Sequence, residues 1–331
     1  MDGFYLAKGI TIMKEAHTLE DVARKAHVSK MTVSRVINHP DLVTDELKSI
    51  VLDAMDKLDY HPNNVARALA SNRTNVIKLV ILEDIDKTEP YYGNLMIGIA
   101  KALKPVHYTL QLVIDRERID QGACDGMIIT GARVSDYQIF ENLKEPFILF
   151  GENRGGFDFV DTNNLLGDAM ATEYALSRGY SNVVFIGIDI NEAFEFSREA
   201  GYVNTMQKNK KIPSVFKITN SSVAGRQFME ENINIFKKNT CFICSSDQIA
   251  LGVLQALVHS ELNVPNDYGV IGFDGFFLNK IASPNLTTVK QSLMGLGEKL
   301  SKMILQKINQ NGAPQGEQFL DPELLKGGST K

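Results

Sequence analysis

Residues 29–38, near the start of the chain, separate polar from apolar side chains. Val33, Val36 and Ile37 repeat at helical spacing, which predicts an amphipathic helix with Ser29 as its N-cap. The opposite face presents Lys30, Met31, Ser34 and Arg35. Lysine and arginine can pair with guanine acceptors, and methionine can pack on a thymine methyl group. The segment is therefore suited to contacts with base edges, and a solvated polar face on a small bundle is the alternative.

Two further helices are predicted on either side of this segment. Thr18 is followed three positions later by Asp21, a capping-box pattern that opens the first helix. Thr44 can cap the third helix, whose apolar residues recur at a period of 3.6. These residues are Leu47, Ile50, Val51, Ala54, Met55 and Leu58. Two short helices joined by a tight turn and braced by a third form a helix-turn-helix domain.

Four pieces of this region occur together at a recognisable spacing. They are Leu19-Glu20-Asp21-Val22-Ala23, Val28-Ser29-Lys30-Met31-Thr32-Val33-Ser34-Arg35-Val36-Ile37-Asn38, Leu58-Asp59-Tyr60-His61-Pro62-Asn63 and Val65-Ala66-Arg67-Ala68-Leu69-Ala70. They resemble the DNA-binding domain of the lactose repressor (LacI/GalR) family. His27 departs from the pattern, since the family usually has glycine in that turn. Histidine tolerates left-handed backbone angles better than most residues, at some cost in strain.

The resemblance implies a set of DNA contacts. Base edges and phosphates would be met by Ser29, Lys30, Met31, Thr32, Ser34, Arg35, Asn38 and Tyr60. The segment after Pro62 resembles the hinge helix of the family, where Asn63, Ala66 and Leu69 would meet the minor groove and Leu69 would wedge between base pairs. An ordinary linker helix with Leu69 in the core is the alternative.

Beyond Thr74 apolar runs alternate with helical patterns, which predicts parallel doubly wound sheets. Strands are predicted at residues 76–82, 108–114, 126–130, 147–150, 183–188, 215–218, 241–244 and 270–273. Helices are predicted at residues 92–103, 135–143, 164–178, 194–208, 223–237, 247–262 and 293–309. The fold class predicted for the whole chain is an all-α helix-turn-helix domain followed by an α/β domain of two doubly wound lobes.

The domain boundaries follow from these patterns. We assign residues 1–15 to an extension, 16–61 to the helix-turn-helix domain, 62–74 to the hinge helix and linker, and 75–331 to the two-lobed domain. Lobe 1 is predicted to comprise residues 75–158 and 287–318, and lobe 2 residues 159–286 and 319–331. Met13 is expected to lie close to the natural start, so residues 1–12 are expected to be dispensable.

The family resemblance extends more loosely over the α/β domain. It rests on Pro90-Tyr91-Tyr92, Asp125-Gly126, Gly167, Arg198 with Gly201-Tyr202, Ser246-Asp247 with Ala250-Leu251-Gly252, Val264-Pro265, Ile271-Gly272-Phe273-Asp274 and Leu286-Thr287-Thr288-Val289. This region is similar to periplasmic sugar-binding proteins, which consist of two lobes joined by three crossovers. The resemblance implies a ligand cleft at the carboxyl ends of the strands.

An effector site in that cleft is expected to contain Tyr91, Tyr92, Phe194, Arg198, Asn220, Asp247, Phe273 and Asp274. Arg198 and Asp274 are the strongest candidates, because a guanidinium fork and a carboxylate suit vicinal hydroxyl groups, which both donate and accept. An ion pair is the alternative for each. Tyr91 and Tyr92 could equally pack between the lobes, and Asp247 could simply be a helix N-cap.

Three departures from the family leave the ligand open. Gly151 stands where a polar pocket residue is common, and Asn220 replaces a stacking aromatic residue. The stretch from Asp115 to Cys124 is shorter than usual, which predicts that a helix of lobe 1 is reduced or missing. We therefore expect either an unusual effector or a partner protein that supplies part of the control.

Other patterns predict no chemistry. Cys241 and Cys244 form a CxxC within an apolar strand, where residues three apart point to opposite faces, so core packing is favoured over metal or redox work. The glycines from Gly151 to Gly156 lack the strand and helix context of a dinucleotide site. The basic residues from Lys208 to Lys211 are typical of a solvated helix end. No enzyme activity, metal or cofactor is predicted.

Composition bounds the class of protein. The chain has 331 residues, a net charge of −5 and three cysteines, values typical of a globular protein in a reducing compartment. It contains neither an apolar run long enough to span a membrane nor a signal peptide, so we expect a cytoplasmic, nucleoid-associated protein without membrane partners. Between Lys14 and Asn75 there are 9 basic and 9 acidic residues, so the negative charge lies in the α/β domain.

The functional prediction is a homodimeric transcription regulator that binds a near-palindromic operator. It is expected to repress carbohydrate-related genes and to respond to a small effector in the cleft, a sugar or a sugar phosphate. Control mainly by a protein corepressor is one alternative. A solute-binding protein of a transporter is another, opposed by the helix-turn-helix and the absent signal peptide.

Overall fold

A computed structural model describes residues 17–38, 42–60, 73–83, 89–114, 116, 119–276 and 278–331. The chain divides into two compact units, one up to Thr74 and the other from Asn75 onward. The predicted extension and most of the predicted hinge segment lie outside the described residues. No described helix is long and apolar enough to cross a membrane.

The helices, in chain order, are α1 (Leu19–Ala26), α2 (Lys30–Asn38), α3 (Asp45–Lys57), α4 (Glu89–Leu103), α5 (Tyr137–Phe140), α6 (Asn164–Ser177), α7 (Ala193–Lys208), α8 (Ser222–Asn232), α9 (Asp247–His259), α10 (Leu278–Ile281) and α11 (Leu293–Asn309). The strands are β1 (Val76–Ile81), β2 (Thr109–Val113), β3 (Gly126–Thr130), β4 (Phe147–Phe150), β5 (Phe159–Thr162), β6 (Asn182–Ile188), β7 (Val215–Ile218), β8 (Thr240–Cys244), β9 (Tyr268–Asp274), β10 (Thr287–Lys290), β11 (Glu317–Leu320) and β12 (Glu323–Leu325).

The first unit is the predicted helix-turn-helix. Thr18 caps α1 and forms a complete capping box with Asp21, so the backbone N–H groups of Thr18 and Asp21 are both satisfied. Thr44 caps α3 in the same way by accepting from the Leu47 N–H. Val22, Val33 and Val51 are each fully buried, one from each helix, and form the centre of a small core. The three helices therefore hold each other through one apolar contact surface.

The turn between α1 and α2 depends on the backbone of His27. This residue ends α1 in the left-handed conformation, with φ of 55°. Its N–H bonds to the carbonyl of Ala23 or Arg24, as in the usual glycine-terminated helix end. The expectation that His27 adopts the conformation of the family's glycine is confirmed, and the residue is strained relative to glycine.

The second unit consists of two six-stranded sheets, one in each lobe. In lobe 1 the strand order is β11-β5-β4-β3-β1-β2, and every neighbouring pair is parallel. In lobe 2 the order is β12-β10-β9-β8-β6-β7, parallel except for β12 against β10. Helices cover both faces of each sheet, and the central strands are buried throughout. The predicted fold class is confirmed.

The lobe boundaries predicted from the sequence were partly wrong. Residues 159–162 form β5 and belong to the sheet of lobe 1, whereas residues 287–290 form β10 and belong to lobe 2. The three crossovers therefore run from β5 to α6, from β10 to α11 and from β11 to β12. β5 and β10 are four-residue strands that contain Asp, Thr or Lys, so they lack the apolar runs from which the other strands were predicted.

Other differences concern the ends of elements. The predicted helix at 135–143 is a 3-10 turn followed by the four residues of α5. The helix predicted at 223–237 ends at Asn232 and continues only as a 3-10 turn, Ile233–Ile235. Cys241 and Cys244 lie in the cores on opposite faces of the lobe 2 sheet, so that prediction is confirmed.

The connection between β2 and β3 contains no α-helix among its described residues, as its short length predicted. A buried lysine holds the loop that connects β2 and β3. Lys78 on β1 is 1% exposed, and its Nζ donates to the carbonyls of Gln121 at 2.7 Å and Gly122 at 2.8 Å. Three carbonyl acceptors, including that of Ile119, satisfy the buried ammonium group.

Candidate functional site

Helix α2 presents the side chains predicted to contact DNA. Lys30, Met31 and Arg35 are exposed, and Met31 is 66% exposed even though it is a large apolar residue. Arg35 reaches back along the helix, with its Nη2 3.9 Å from the Met31 sulfur. Val33 and Val36 face inward, so the helix is anchored on one side and open on the other. This arrangement is what insertion into a major groove requires.

The other residues predicted to contact DNA cap α2, are half-buried, or lie outside the described residues. Ser29 and Thr32 form the N-terminal cap of α2, since the Thr32 N–H donates to Ser29 Oγ at 3.0 Å. Ser34 and Tyr60 are half-buried. The side chain of Asn38 and the residues Asn63, Ala66 and Leu69 lie outside the described residues, so those contacts stay predictions.

A cavity of about 480 Å³ lies between the two lobes, at the carboxyl ends of both sheets. This is the edge at which open α/β sheets bind ligands. Of the predicted effector residues, it is lined by Tyr91, Phe194, Arg198, Asn220, Asp247 and Asp274. Tyr92 and Phe273 do not line it, and for these two the prediction of direct ligand contact was wrong.

Arg198 is the central cation of the cleft. It projects from α7, is 6% exposed, and its guanidinium carbon lies over the Phe273 ring at 3.6 Å from the ring centre. Its Nε donates to Asn164 Oδ1 at 2.9 Å, and its Nη1 donates to the Ser245 carbonyl at 2.5 Å. These bonds fix the guanidinium plane and use only part of its donors. Phe273 therefore supports Arg198 from below rather than meeting a ligand.

Asp274 and Asp247 form a carboxylate pair beside Arg198. Burial raises the pKa of Asp274, and Arg198 partly offsets that rise. Burial and the nearby Asp274 both raise the pKa of Asp247. Asp247 accepts from Thr288 Oγ1 at 2.6 Å and from the Gly275 N–H at 3.0 Å. Asp247 is thus fixed, and Asp274 is the freer acceptor.

The backbone of Asp274 is strained. Its φ is 127°, a region that residues other than glycine rarely adopt. The strand end is held by Gln291, whose Nε2 donates to Asp274 Oδ1 at 2.9 Å. The preceding Gly272 is required by space, because a Cβ there would come within 2.2 Å of Asp247 Oδ1. The strain turns the carboxylate of Asp274 toward the cavity.

Four acidic residues that line the cleft were not predicted from the sequence, and two of them, Asp161 and Glu152, lie next to each other. Asp161, at the end of β5, accepts from the Glu152 N–H at 2.9 Å, and burial raises its pKa to about 7. Glu152 accepts from Ser197 Oγ at 2.6 Å and from Asn164 Nδ2 at 2.9 Å. Both donors belong to lobe 2, so Glu152 bridges the cleft.

A second bridge crosses the cleft at Arg133. This lobe 1 residue lies 3.4 Å from Glu83 and 3.5 Å from Glu192 of lobe 2. Glu83 also accepts a hydrogen bond from the Tyr92 hydroxyl, so Tyr92 orients the ion pair from below. Arg133 could not be predicted from the sequence because it follows β3 in an irregular segment.

Aromatic rings form part of the cavity wall. Tyr91 stacks on Phe150 at 6.0 Å and meets Phe276 edge-on at 5.5 Å. Across the cleft, in lobe 2, the ring of Phe194 lies 5.0 Å from the guanidinium of Arg198 on the same helix, α7. Asn220 accepts from Ser246 Oγ at 2.6 Å and adds an amide to the cavity wall. Flat apolar rings beside polar groups are the usual lining of a small-molecule site.

Two carboxyl groups are buried behind Arg198. Asp168 is 1% exposed and neither of its oxygens has a hydrogen-bond partner among the described atoms. Glu195 is fully buried and accepts through one oxygen from Ser245 Oγ and the Ile188 N–H. Burial raises the pKa of both, and Arg198 opposes that rise. No cluster of metal-ligating residues occurs in the described part of the chain.

Comparison with known proteins identifies the family. A model of bacterial regulatory proteins of the lacI family matches residues 18–63, and a periplasmic binding protein-like domain matches residues 172–330. An uncharacterized helix-turn-helix transcriptional regulator of Bacillus subtilis, YvdE, is 49% identical over 95% of this chain and 99% of its own length. The chain belongs to the lacI family. It is a DNA-binding transcriptional regulator.

More distant lacI-family proteins share the full length. The ribose operon repressor of Escherichia coli is 28% identical over 94% of this chain and 99% of its own length. The structure of the lac repressor dimer bound to operator and an anti-inducer superimposes with a TM-score of 0.71 at 23% identity, covering 96% of this chain and 99% of that one. This similarity extends to the whole fold, both units included.

Proposed function

We propose that this lacI-family chain is a homodimeric repressor whose affinity for a near-palindromic operator is controlled by an uncharged sugar bound between the lobes. The observation that carries the proposal is that Arg198 and Asp274 line the same cavity of about 480 Å³ together with aromatic rings. A fixed donor fork and an acceptor carboxylate match vicinal hydroxyls, and the rings match the apolar face of a sugar.

The charge balance of the cleft favours an uncharged ligand over a sugar phosphate. The described lining includes six acidic residues and only two arginines. Arg133 is already paired with Glu83 and Glu192, and Arg198 lies among several buried carboxyls. A phosphate group would therefore meet excess negative charge in a site of low effective dielectric. The cavity volume falls within the usual range for small ligands and exceeds that of a single sugar ring.

Repression and dimerisation are supported by the relatives. The ribose operon repressor carries the name of a repressor, and the lac repressor structure is a dimer on its operator. A twofold dimer places two copies of α2 in successive major grooves, which requires paired half-sites. The predicted hinge residue Leu69 would supply the minor-groove wedge, so Leu69→Ala should weaken operator binding while leaving sugar binding intact.

The proposal is tested by isothermal titration calorimetry with ribose, maltose and cellobiose, and with glucose 6-phosphate as the charged comparison. The variants are Arg198→Ala and Asp274→Asn, with Arg226→Ala as the matched control, since Arg226 is exposed and pairs only with its helix neighbour Glu230 among the described ion pairs. Arg198→Ala should weaken sugar binding by about a hundredfold or more, because charge-assisted hydrogen bonds contribute about 1.5–3 kcal/mol each. Preference for glucose 6-phosphate would contradict an uncharged effector. A response of operator affinity to a protein alone would favour the corepressor alternative.

A further inference from the structure

A second cavity, also of about 480 Å³, lies on lobe 2 at the amino ends of its strands. Asn182 begins β6 and Thr240 begins β8, while Ser214 immediately precedes β7, and all three line this cavity. The effector cleft lies at the carboxyl ends of the same strands. A molecule bound here would therefore be separated from the effector by the full length of the sheet.

The rim of this cavity is basic. Lys210, Lys211 and Lys237 line it, and no acidic residue does so among the described residues. None of the three takes part in a described ion pair, whereas the adjacent Lys238 is paired with Asp267 at 2.8 Å. Among the described hydrogen bonds, the side chains of the three lysines make one, from Lys211 Nζ to the Ser181 carbonyl at 3.2 Å. The cavity rim is therefore a local concentration of three lysines without a described acidic partner, on a chain whose net charge is −5.

Apolar side chains flank the lysines. Ile212 is 91% exposed and Ile235 is 62% exposed, and both line the cavity. Single exposed aliphatic residues are common, but two beside one concave basic surface indicate a contact region. A simple anion would engage the lysines and leave the isoleucines in water. The combination suits a ligand that carries negative charge and an aliphatic group together.

We propose that this lysine groove, defined by Lys210, Lys211, Ile212, Ile235 and Lys237, binds an acidic segment of a partner protein. Carboxylates of the segment pair with the lysines, and an aliphatic side chain packs between the two isoleucines. Nucleic acid fits less well, because the rest of the α/β domain is acidic and repels a polyphosphate. The sequence pattern of Lys208 to Lys211 alone predicted only a solvated helix end, since Lys237 and Ile235 join it through the fold.

The proposal does not depend on the identity of the effector. The groove and the cleft lie at opposite edges of one sheet, so a partner segment and a sugar can bind at the same time. A partner held here contacts the end of α7, the helix whose first turns carry Arg198. Lobe 2 thus offers a route for a protein to act on the regulator without entering the cleft.

The test uses the full chain and a short fluorescein-labelled synthetic peptide with glutamates on both sides of one isoleucine. Two comparison peptides replace the glutamates by glutamine or the isoleucine by serine. Binding is followed by fluorescence anisotropy for the wild type, for Lys211→Glu and Lys237→Glu, and for Ile212→Ser. Lys302→Glu is the matched control, because Lys302 is exposed on α11 and the substitution changes the net charge by the same amount.

We expect the acidic peptide to bind the wild type and Lys302→Glu alike, and each groove charge reversal to weaken it by about tenfold. Affinity should fall with salt, and both comparison peptides and Ile212→Ser should bind more weakly. Equal losses in Lys302→Glu would show a nonspecific charge effect and overturn the proposal. So would effective competition by inorganic phosphate or by random duplex DNA, or no binding of the acidic peptide. Circular dichroism of each variant establishes that the fold is retained.

Discussion

Asp168 offers a direct test of the electrostatics around Arg198. It is buried on α6, and neither of its oxygens has a hydrogen-bond partner among the described atoms. Burial raises its pKa well above the usual carboxyl range, Arg198 lowers it, and Glu195 raises it again. We therefore expect Asp168 to keep its proton in the folded chain at neutral pH and to lose it on unfolding.

The pH dependence of the stability follows from the difference between the pKa of Asp168 in the folded and in the unfolded chain. A carboxyl with a higher pKa in the folded state contributes stability that is fully present below its unfolded pKa and is lost as the pH rises. At pH values between the unfolded and the folded pKa of Asp168, the loss is about 1.4 kcal/mol per pH unit. Asp168→Asn keeps the shape of the side chain without the ionisation. Its stability relative to the wild type should rise by that amount per pH unit over this interval.

The assay is urea unfolding of the full chain at pH 5, 6 and 7, followed by circular dichroism because the chain has no tryptophan. Asp120→Asn is the control, since Asp120 is exposed and makes no described ion pair. A stability difference between the wild type and Asp168→Asn that does not change with pH would refute the reasoning. It would mean that Asp168 is ionised in the folded chain and pairs with Arg198, which would leave less of that cation for a ligand.

Four further substitutions have expected outcomes. Lys30→Ala and Arg35→Ala should each weaken specific operator binding by about 1–3 kcal/mol, measured by anisotropy against a scrambled duplex. His27→Gly should raise the free energy of unfolding by up to about 1 kcal/mol, because glycine adopts the left-handed angle without strain. Asp158→Asn should destabilise lobe 1 by about 1.5–3 kcal/mol at neutral pH, since it removes a charge-assisted bond to Lys307 of 2.5 Å. Burial alone would raise the pKa of Asp158, but the hydrogen bonds from Lys307 and two backbone N–H groups lower it, so this stability should be lost as the pH falls.

Each of these predictions has an outcome that would contradict it. Operator selectivity unchanged by both α2 substitutions would exclude α2 as the reading helix. A lower melting temperature for His27→Gly would show that the histidine side chain makes a stabilising contact that outweighs its strain. Loss of stability in Asp158→Asn that is equal at acid and neutral pH would show that the bond depends on shape rather than on charge.

The first unit could be predicted in detail because its signals are local. Thr18, Asp21 and Thr44 cap helices within a few residues of themselves, and the stripe on α3 needs only the helical period. The left-handed angle at His27 could be predicted only through the resemblance. Helix ends in the α/β domain were less predictable, because α8 changes to a 3-10 turn where its packing surface ends.

The cleft could be predicted only in part. Arg198 and Asp274 follow recognisable motifs, whereas Asp161 lies in a four-residue strand that no apolar run indicated. Arg133 and Glu152 come from irregular segments, and their role depends on the approach of the other lobe. Tyr92 and Phe273 belong to the same motifs as true lining residues, but they point into the cores and act on their neighbours. Contacts between elements distant in sequence leave no periodic signal.

The central claim is that an uncharged sugar in the cleft changes the affinity of this lacI-family protein for its operator. The most direct measurement is an anisotropy titration of the full chain onto a near-palindromic duplex selected from random sequence, with and without the sugar that binds in calorimetry. We expect the sugar to change operator affinity by about fivefold or more. Arg198→Ala should retain operator binding and lose the response to the sugar. Sugar binding to the wild type without any change in operator affinity would contradict the central claim.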